Sequence, residues 1–302
     1  MSDLAPELAL QAGAAAAAAA PVRSRGVLRR FARHRLALLG VLVIAFLAVA
    51  SGGAAWLAPH DPDEIDIAQR YAPPLSAGRV LGADDLGRDV ASRLMFAGRI
   101  SLSVGVAAML VTLVVGFCVG AFAAYLGGWL DTVLMRLTDV MLCFPSVFLL
   151  LFVAAFVTPT LASIALMIGL TCWMEIARIV HAQILALKGA DFIAAARMVG
   201  TPAWRIVLRQ ILPNTLAPIL VAATLNTANA ILLESYISFL GYGIQPPQAS
   251  WGNMLTNAQS DFQVDPWLAV FPGLAITLAV ASFNFIGDGL RDALDPRLRE
   301  RA

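Results

Sequence analysis

Long apolar segments alternate with shorter polar ones along most of the chain. The first apolar segment, residues 36–58, contains no charged residue, and five comparable segments follow it. A helix of about 20 apolar residues crosses the roughly 30 Å hydrocarbon core of a bilayer. The pattern therefore predicts an all-α integral membrane protein with six transmembrane helices.

These segments divide the chain into tails, spans and loops. We predict an Ala/Arg-rich N-terminal tail at 1–35, a first span at 36–58, a polar segment at 59–99, a core at 100–287 and a charged C-terminal tail at 288–302. The core holds the other five predicted spans, at 100–126, 129–157, 161–180, 215–240 and 266–286. Its two longest polar interruptions are 188–213 and 241–265.

Lysine and arginine are distributed unevenly among the polar segments. The two tails, the turn at Gly127 and segment 188–213 together hold 13 arginines and the only lysine, against five arginines in 59–99. Segment 241–265 has neither residue, and acids outnumber arginines in 59–99. Cytoplasmic loops carry the excess of positive residues. We therefore expect both termini and 188–213 in the cytoplasm, and 59–99 and 241–265 outside it.

The composition excludes several classes of function. The chain is 59% hydrophobic and 14% charged, whereas soluble domains are about 45–50% apolar and about 25% charged. The net charge is only +1, so no basic surface for nucleic acid is indicated. The lipid bilayer is the expected environment.

Motifs for catalysis are also missing from the sequence. A Walker ATPase needs Gly-Lys-Ser/Thr to hold phosphates and magnesium, but the single lysine, Lys188, is followed by Gly189. No HExxH or GxSxG motif occurs. The cysteines and histidines are scattered, at Cys118, Cys143, Cys172, His34, His60 and His181. We therefore predict that the chain is not an enzyme and binds no metal or cofactor itself.

Segment 188–213 predicts two short helices separated by a sharp turn. Asp191 is suited to N-cap the first helix, and Gly200 is suited to end it in a left-handed conformation. Thr201 and Pro202 resemble a second start, with threonine as N-cap and proline at the first helical position. Ala194–Ala196 leave one face of the first helix nearly bare, so that another protein can approach it closely. Without a partner, the segment would instead be an amphipathic loop at the membrane interface.

Several segments in the same order resemble one family. Residues 194–200 (AAARMVG) followed by 211–213 (ILP) resemble the cytoplasmic EAA loop of ABC importer permeases. Segments 81–89 (LGADDLGRD), 99–105 (RISLSVG), 238–243 (SFLGYG) and 250–252 (SWG) resemble the C-type permease of the dipeptide, oligopeptide and nickel importers. The resemblance covers about residues 25–298. It implies the MetI-like fold of type I ABC importer permeases.

The sequence departs from the family pattern at two positions of the loop. Ala194 occupies the position of the EAA glutamate, and Gln210 replaces an isoleucine three residues before Pro213. The first departure removes the acidic side chain from the loop, and with it the carboxylate of a capping box. We therefore still expect docking, but without an acidic side chain at position 194.

The resemblance implies one subunit of a larger machine in the bacterial inner membrane. This chain would pair with a B-type permease, bind two ABC ATPases through the loop, and receive di- or oligopeptides from a periplasmic binding protein at its outer loops. ATP and magnesium would be used by the ATPases. The implied docking residues are Asp191, Ala194, Ala195, Ala196, Arg197, Gly200, Thr201, Arg205 and Pro213.

Polar residues inside the spans are candidates for the translocation pathway, because ionisable groups are costly in a bilayer. The candidates are Glu234, Asn226, Asn229 and Asp139. The alternatives are a packing role for the asparagines, contact of Glu234 with a partner chain, and an i, i+3 pair between Asp139 and Arg136. Glu175 and Arg178 have the same i, i+3 spacing.

Two alternatives for function stay open from the sequence. A nickel chelate or glutathione would be carried by a permease of the same branch, because the sequence does not name the substrate. A channel or secondary transporter would work without an ATPase. A channel or secondary transporter leaves the EAA-like segment unexplained. Co-purification of this chain with an ATP-hydrolysing subunit would distinguish an ATP-driven importer from that alternative.

Overall fold

The computed structural model describes residues 24–76 and 78–294. Most of the predicted N-terminal tail, including its alanine tract, and the end of the C-terminal tail lie outside these residues. The helices of the described part are α1 (Ser24–Phe31), α2 (Arg35–Gly52), α3 (Ala54–Leu57), α4 (Val90–Leu126), α5 (Gly128–Leu142), α6 (Ser146–Ala154), α7 (Leu161–Lys188), α8 (Asp191–Met198), α9 (Ala203–Ile206), α10 (Leu212–Phe239), α11 (Trp251–Asp261) and α12 (Trp267–Leu294). A 3-10 turn, Ile67–Gln69, and a π turn, Val207–Ile211, complete them.

The helices confirm the predicted all-α membrane fold. Five helices are long and apolar enough to cross a bilayer: α2, α4, α7, α12 and the continuous run Ala203–Phe239 formed by α9, the π turn and α10. The pair α5 and α6 forms the sixth span, bent by 87° between its two halves.

That bend corrects the predicted continuous third span at 129–157. α5 ends at Leu142, and α6 begins at Ser146 after Pro145. Proline has no N–H for a helical hydrogen bond, and its ring drives the preceding residue, here Phe144, away from the helical conformation. The span is therefore two short helices rather than one straight rod.

The two polar segments predicted to lie outside the cytoplasm contain helix that the hydropathy pattern did not show. α4 begins at Val90 within the predicted segment 59–99, where Asp89 Oδ2 accepts hydrogen bonds from Ser92 N–H (2.8 Å) and Oγ–H (2.6 Å). α11 lies within the predicted loop 241–265 and begins with a capping box between Ser250 and Asn253. N-terminal caps of this kind satisfy the free N–H groups of a first helical turn.

Glycines allow α4 and α7 to pack closely. A Cβ added at Gly116 would lie 2.7 Å from the carbonyl oxygen of Trp173 and 2.6 Å from Ile176 Cβ. Gly120 faces the carbonyl of Ala177 in the same way, and Gly169 on α7 faces Val111. Gly116 and Gly120 have the GxxxG spacing that lets two helices approach closely. α10 packs against both α4 and α12, and α2 packs on α12.

Candidate functional site

The first helix of segment 188–213 begins one residue earlier than predicted. Ala190, in an extended conformation, is the N-cap residue, and it makes no side-chain cap. Asp191, predicted as the N-cap, instead lies in the first helical turn. Its carboxylate remains favourable there, because the N-terminal end of a helix carries partial positive charge.

The end of α8 forms the predicted glycine turn. Gly200 has φ +79°, and two hydrogen bonds close the turn. Thr201 N–H donates to Ala196 O, and Gly200 N–H donates to Arg197 O, both at 3.0 Å. This is the Schellman arrangement, in which a left-handed residue, usually glycine, terminates a helix.

The second helix begins later than predicted. Pro202 is the N-cap residue and α9 begins at Ala203, so Thr201 is not the N-cap and Pro202 is not the first helical residue. The reason is that the turn already uses Thr201 to terminate α8. α9 is also not a separate interfacial helix, because it continues through the π turn into α10. Pro213 follows that π turn, and its missing N–H removes one regular α-helical bond.

A cluster of buried isoleucines anchors α8 to the bundle. Ile193, the only buried residue of α8, is fully enclosed. It packs in one hydrophobic cluster, here called the isoleucine cluster, with members on α4, α7, α9, the π turn and α10: Ala121, Ala124, Ile176, Val180, Ile184, Ile206, Ile211, Ile219 and Ala222. A displacement of α8 is therefore transmitted to several spans at once, because a close-packed interior transmits strain.

Polar contacts support the same attachment. Lys188 Nζ donates to the carbonyl oxygen of Ala124 at 2.9 Å, near the end of α4. The guanidinium carbon of Arg197 lies 5.4 Å from the centre of the Tyr125 ring, within the range of a cation–π contact.

The opposite side of α8 is open. Met198 and Val199 are 84% and 86% exposed, and Phe192 and Trp204 are also exposed. Ala194 and Ala195 are exposed, while Ala196 is half-buried. The remaining predicted docking residues, Arg205 and Pro213, are exposed as well. Large apolar side chains are therefore exposed on one short segment beside the isoleucine cluster.

The four pathway candidates fall into two groups. Glu234 is fully buried, with Oε2 accepting from Ser101 Oγ–H and Oε1 from Ser238 Oγ–H, both at 2.8 Å. Asn226 is also buried, and its amide donates to Ala222 O of its own helix at 3.0 Å. In this conformation both side chains lie inside the bundle. Asn229, by contrast, is exposed, and Asp139 is half-buried.

Asp139 lies at a junction of two helices. It pairs with Arg178 of α7 and, at 3.8 Å, with Arg136 of its own helix α5, so the predicted Arg136–Asp139 pair is present. The predicted Glu175–Arg178 pair is not found among the described residues, because Arg178 reaches across to α5 instead. A second link between the same helices joins His181 Nε2 and Asp131 Oδ1 at 2.7 Å. Sequence spacing gave no signal for it, since the two residues are 50 positions apart.

Two family models match this chain. The model described as binding-protein-dependent transport system inner membrane component matches residues 116–300. The model described as N-terminal TM domain of oligopeptide transport permease C matches residues 23–74. Together they cover the N-terminal span, segment 188–213 and the other spans except the part of α4 before residue 116.

Curated relatives are similar over nearly their full length. The oligopeptide transport system permease protein OppC of Haemophilus influenzae is 38% identical over 90% of this chain and 88% of its own. A putative peptide permease of Brucella ovis is 42% identical over 89% of each chain. The glutathione transport system permease protein GsiD of Pectobacterium atrosepticum is 38% identical over 90% of each chain. The chain therefore belongs to the inner membrane components of binding-protein-dependent ABC importers, and within them to the C-type permeases of the dipeptide, oligopeptide and nickel branch.

Proposed function

We propose that this permease moves di- and oligopeptides into the cytoplasm. The observation that carries the proposal is the similarity, at 38–42% identity, to relatives named for oligopeptide or peptide transport. A second candidate substrate is glutathione, because a relative named for glutathione transport is 38% identical over the same share of the chain. Nickel chelates are the third substrate class of the branch.

We infer that the working assembly contains this chain, a B-type permease, two ABC ATPases and a periplasmic binding protein. The assembly would lie in the bacterial inner membrane, with both termini of this chain in the cytoplasm. The uneven distribution of arginine supports that orientation. ATP and magnesium would be held by the ATPases, because the sequence of this chain contains no Gly-Lys-Ser/Thr motif. This chain itself would carry no cofactor and catalyse no reaction.

α8 is the proposed docking helix for an ATPase. Its outward side offers Phe192, Met198 and Val199 to a groove, and its inward side is held by Ile193 in the isoleucine cluster. Closure of the ATPases on ATP would displace α8, and the cluster would carry that displacement to α4, α7 and α10. Such a step does work only if α8 contacts the ATPases differently in the two states.

The proposed pathway uses polar residues of the spans that are exposed or half-buried. Asp139 and Asn229 remain candidates to face it, and Arg178 joins them through its pair with Asp139. Charged side chains at membrane depth face protein or a water-filled cavity rather than lipid. Glu234 and Asn226 are assigned to the interior of the bundle instead.

Reconstituted uptake tests this function. The five-subunit importer in proteoliposomes, with ATP inside, is expected to accumulate a labelled dipeptide against its gradient only when the binding protein is present. Competition with unlabelled tripeptide, glutathione and nickel chelate ranks the substrates. Passive flux through this chain without ATPases would contradict the proposal and favour a channel or secondary transporter.

A further inference from the structure

Three elements meet at Glu234, at the end of α10 remote from α8. Glu234 and Ser238 lie on α10, Ser101 lies on α4, and Trp251 begins α11. The Glu234 carboxylate is completely enclosed by these elements. Among the described residues its polar partners are serine hydroxyls, and no cation pairs with it.

Hydrogen bonds run through this carboxylate from α10 to α4 and on to α11. Ser238 donates to one oxygen of Glu234 and Ser101 donates to the other, both at 2.8 Å. The same Ser101 hydroxyl oxygen accepts from Trp251 N–H at 3.2 Å, at the first helical position of α11. Glu234 is therefore one bond from α4 and two bonds from the start of α11.

Close packing limits how α11 can shift on α10. A Cβ on Gly252 would lie 2.6 Å from the carbonyl oxygen of Ser235. Thr256 Oγ–H donates to Phe239 O at 2.8 Å, at the C-terminal end of α10. These contacts press the two helices together, and the bonds of Glu234 fix their register against α4.

A single helical run connects this junction to the docking helix. The run Ala203–Phe239 contains 37 residues, which corresponds to about 55 Å at about 1.5 Å per residue. It begins three residues after Gly200, beside the isoleucine cluster, and it ends beside Glu234. The run is continuous along its whole length, although the π turn and Pro218 interrupt its regular hydrogen bonds. A displacement at its first residues is therefore passed along one helical path to Glu234.

We propose that Glu234 is the positioning residue through which displacement of α8 reaches α11 on the opposite face of the membrane. The inference rests on the proposed docking of α8 to an ATPase. A buried carboxylate without a cation is costly, and an apolar side chain would fill the same space without that cost. Glu234 instead supplies two directional acceptors that hold α10 to α4, and through Ser101 to α11. In the reverse direction, a binding protein that contacts α11 would signal its arrival to the ATPases through the same bonds.

Stimulation of ATP hydrolysis tests the proposal in the reconstituted importer. The readout is the ratio of ATPase rate with peptide-loaded binding protein to the rate without it. We expect Glu234→Ala to lower that ratio about fivefold or more, the scale of a typical coupling between sites, with the unstimulated rate retained. Glu234→Gln is expected to retain most of the ratio, because its amide still accepts from one serine and donates to the other. Thr227→Ala is the matched control, since Thr227 is buried on the same helix and its hydroxyl bonds only to Ala223 O.

An unchanged ratio in Glu234→Ala would overturn the proposal. A parallel loss of both rates, or no rescue by Glu234→Gln, would also overturn it, because a merely structural role predicts those results. If Glu234→Ala does not assemble, Ser101→Ala decides in its place, since it removes only the hydroxyl shared by Glu234 and Trp251.

A distance measurement tests the link even if transport itself follows another mechanism. Spin labels at Val106 on α4 and Tyr236 on α10, both exposed positions, report how firmly α10 is held to α4. We expect one narrow distance distribution in the otherwise unchanged permease, with and without ATP, and a broad one in Ser101→Ala and Glu234→Ala. Equally narrow distributions in all three proteins would contradict the link. If the importer without any substitution shows no stimulation of ATP hydrolysis by the binding protein, the docking of α8 is refuted. The distance measurement then decides alone whether Glu234 holds the helices.

Discussion

Ile193 and Ile206 lie together in one buried cluster, although the chain between them turns outward at Gly200. The two residues attach both sides of the exposed turn to the same group of spans. This attachment makes the turn a part of the bundle that an external protein can move, rather than a loose loop.

Removing that attachment should uncouple the permease. Ile193→Ala deletes a fully buried side chain, a change that typically costs about 2–5 kcal/mol. Because α8 is short and Ile193 is its one buried residue, we expect the loss of this side chain to loosen α8 rather than to unfold the spans. Peptide uptake per ATP hydrolysed is expected to fall, with membrane insertion unchanged. Leu185→Ala, at an exposed position on α7, is the control, and equal uptake ratios in the two variants would count against the anchor.

Gly200→Val should uncouple ATP hydrolysis from uptake for a different reason. Nothing lies within 4 Å of a Cβ at Gly200, so the strain comes from its φ of +79°, where a side chain costs about 1–2 kcal/mol and a β-branched one is a genuine outlier. Gly189→Val is the matched control, because Gly189 has equally open surroundings and a φ of −90°. Uptake and hydrolysis are measured in parallel in proteoliposomes. Normal uptake in Gly200→Val would argue strongly against the coupling role of the turn.

The glycine contact between α4 and α7 predicts a stability difference. Gly116→Ala places a Cβ against Trp173 O and Ile176, and overpacking of this kind costs about 1–3 kcal/mol. Gly273→Ala meets nothing within 4 Å and should stabilise α12 slightly, by about 0.5–1 kcal/mol. Thermal unfolding in detergent should therefore move in opposite directions for the two variants. A shift of the same sign in both would contradict the described packing.

The pair between Asp139 and Arg178 predicts a reciprocal rescue. Asp139→Arg and Arg178→Asp are each expected to impair uptake, because each leaves like charges facing across α5 and α7. The double variant restores the pair in reverse and should recover much of the uptake. Glu175→Gln is the control, since Glu175 was predicted to pair with Arg178 and does not. Failure of the double variant to recover would show that the two positions act independently.

Local chemistry could be predicted from the sequence more fully than contacts between distant segments. The left-handed turn at Gly200 and the packing of Gly116 follow from residue type and spacing, and the bend at Pro145 follows from the same kind of rule. The start of α11 could also be predicted, because Ser250 and Asn253 stand at the spacing of a capping box.

Contacts between distant segments could not be predicted from residue type and spacing. The partner of Glu234 is Ser101, 133 positions earlier in the chain, and only the folded bundle brings them together. For the same reason Arg178 was assigned to the neighbouring Glu175 rather than to Asp139. A polar residue inside a span looks the same in sequence whether it lines a path or ties two helices.

The docking of α8 on an ATPase subunit is tested most directly by a photo-cross-link from α8 in the assembled importer. A benzophenone side chain at Met198, which is 84% exposed, should give an adduct with an ATPase subunit, in a yield that changes when ATP is added. The same group at Val264, which is exposed beyond α11, should give no ATPase adduct. An adduct from Val264, or none from Met198 in any nucleotide state, would contradict the docking of α8.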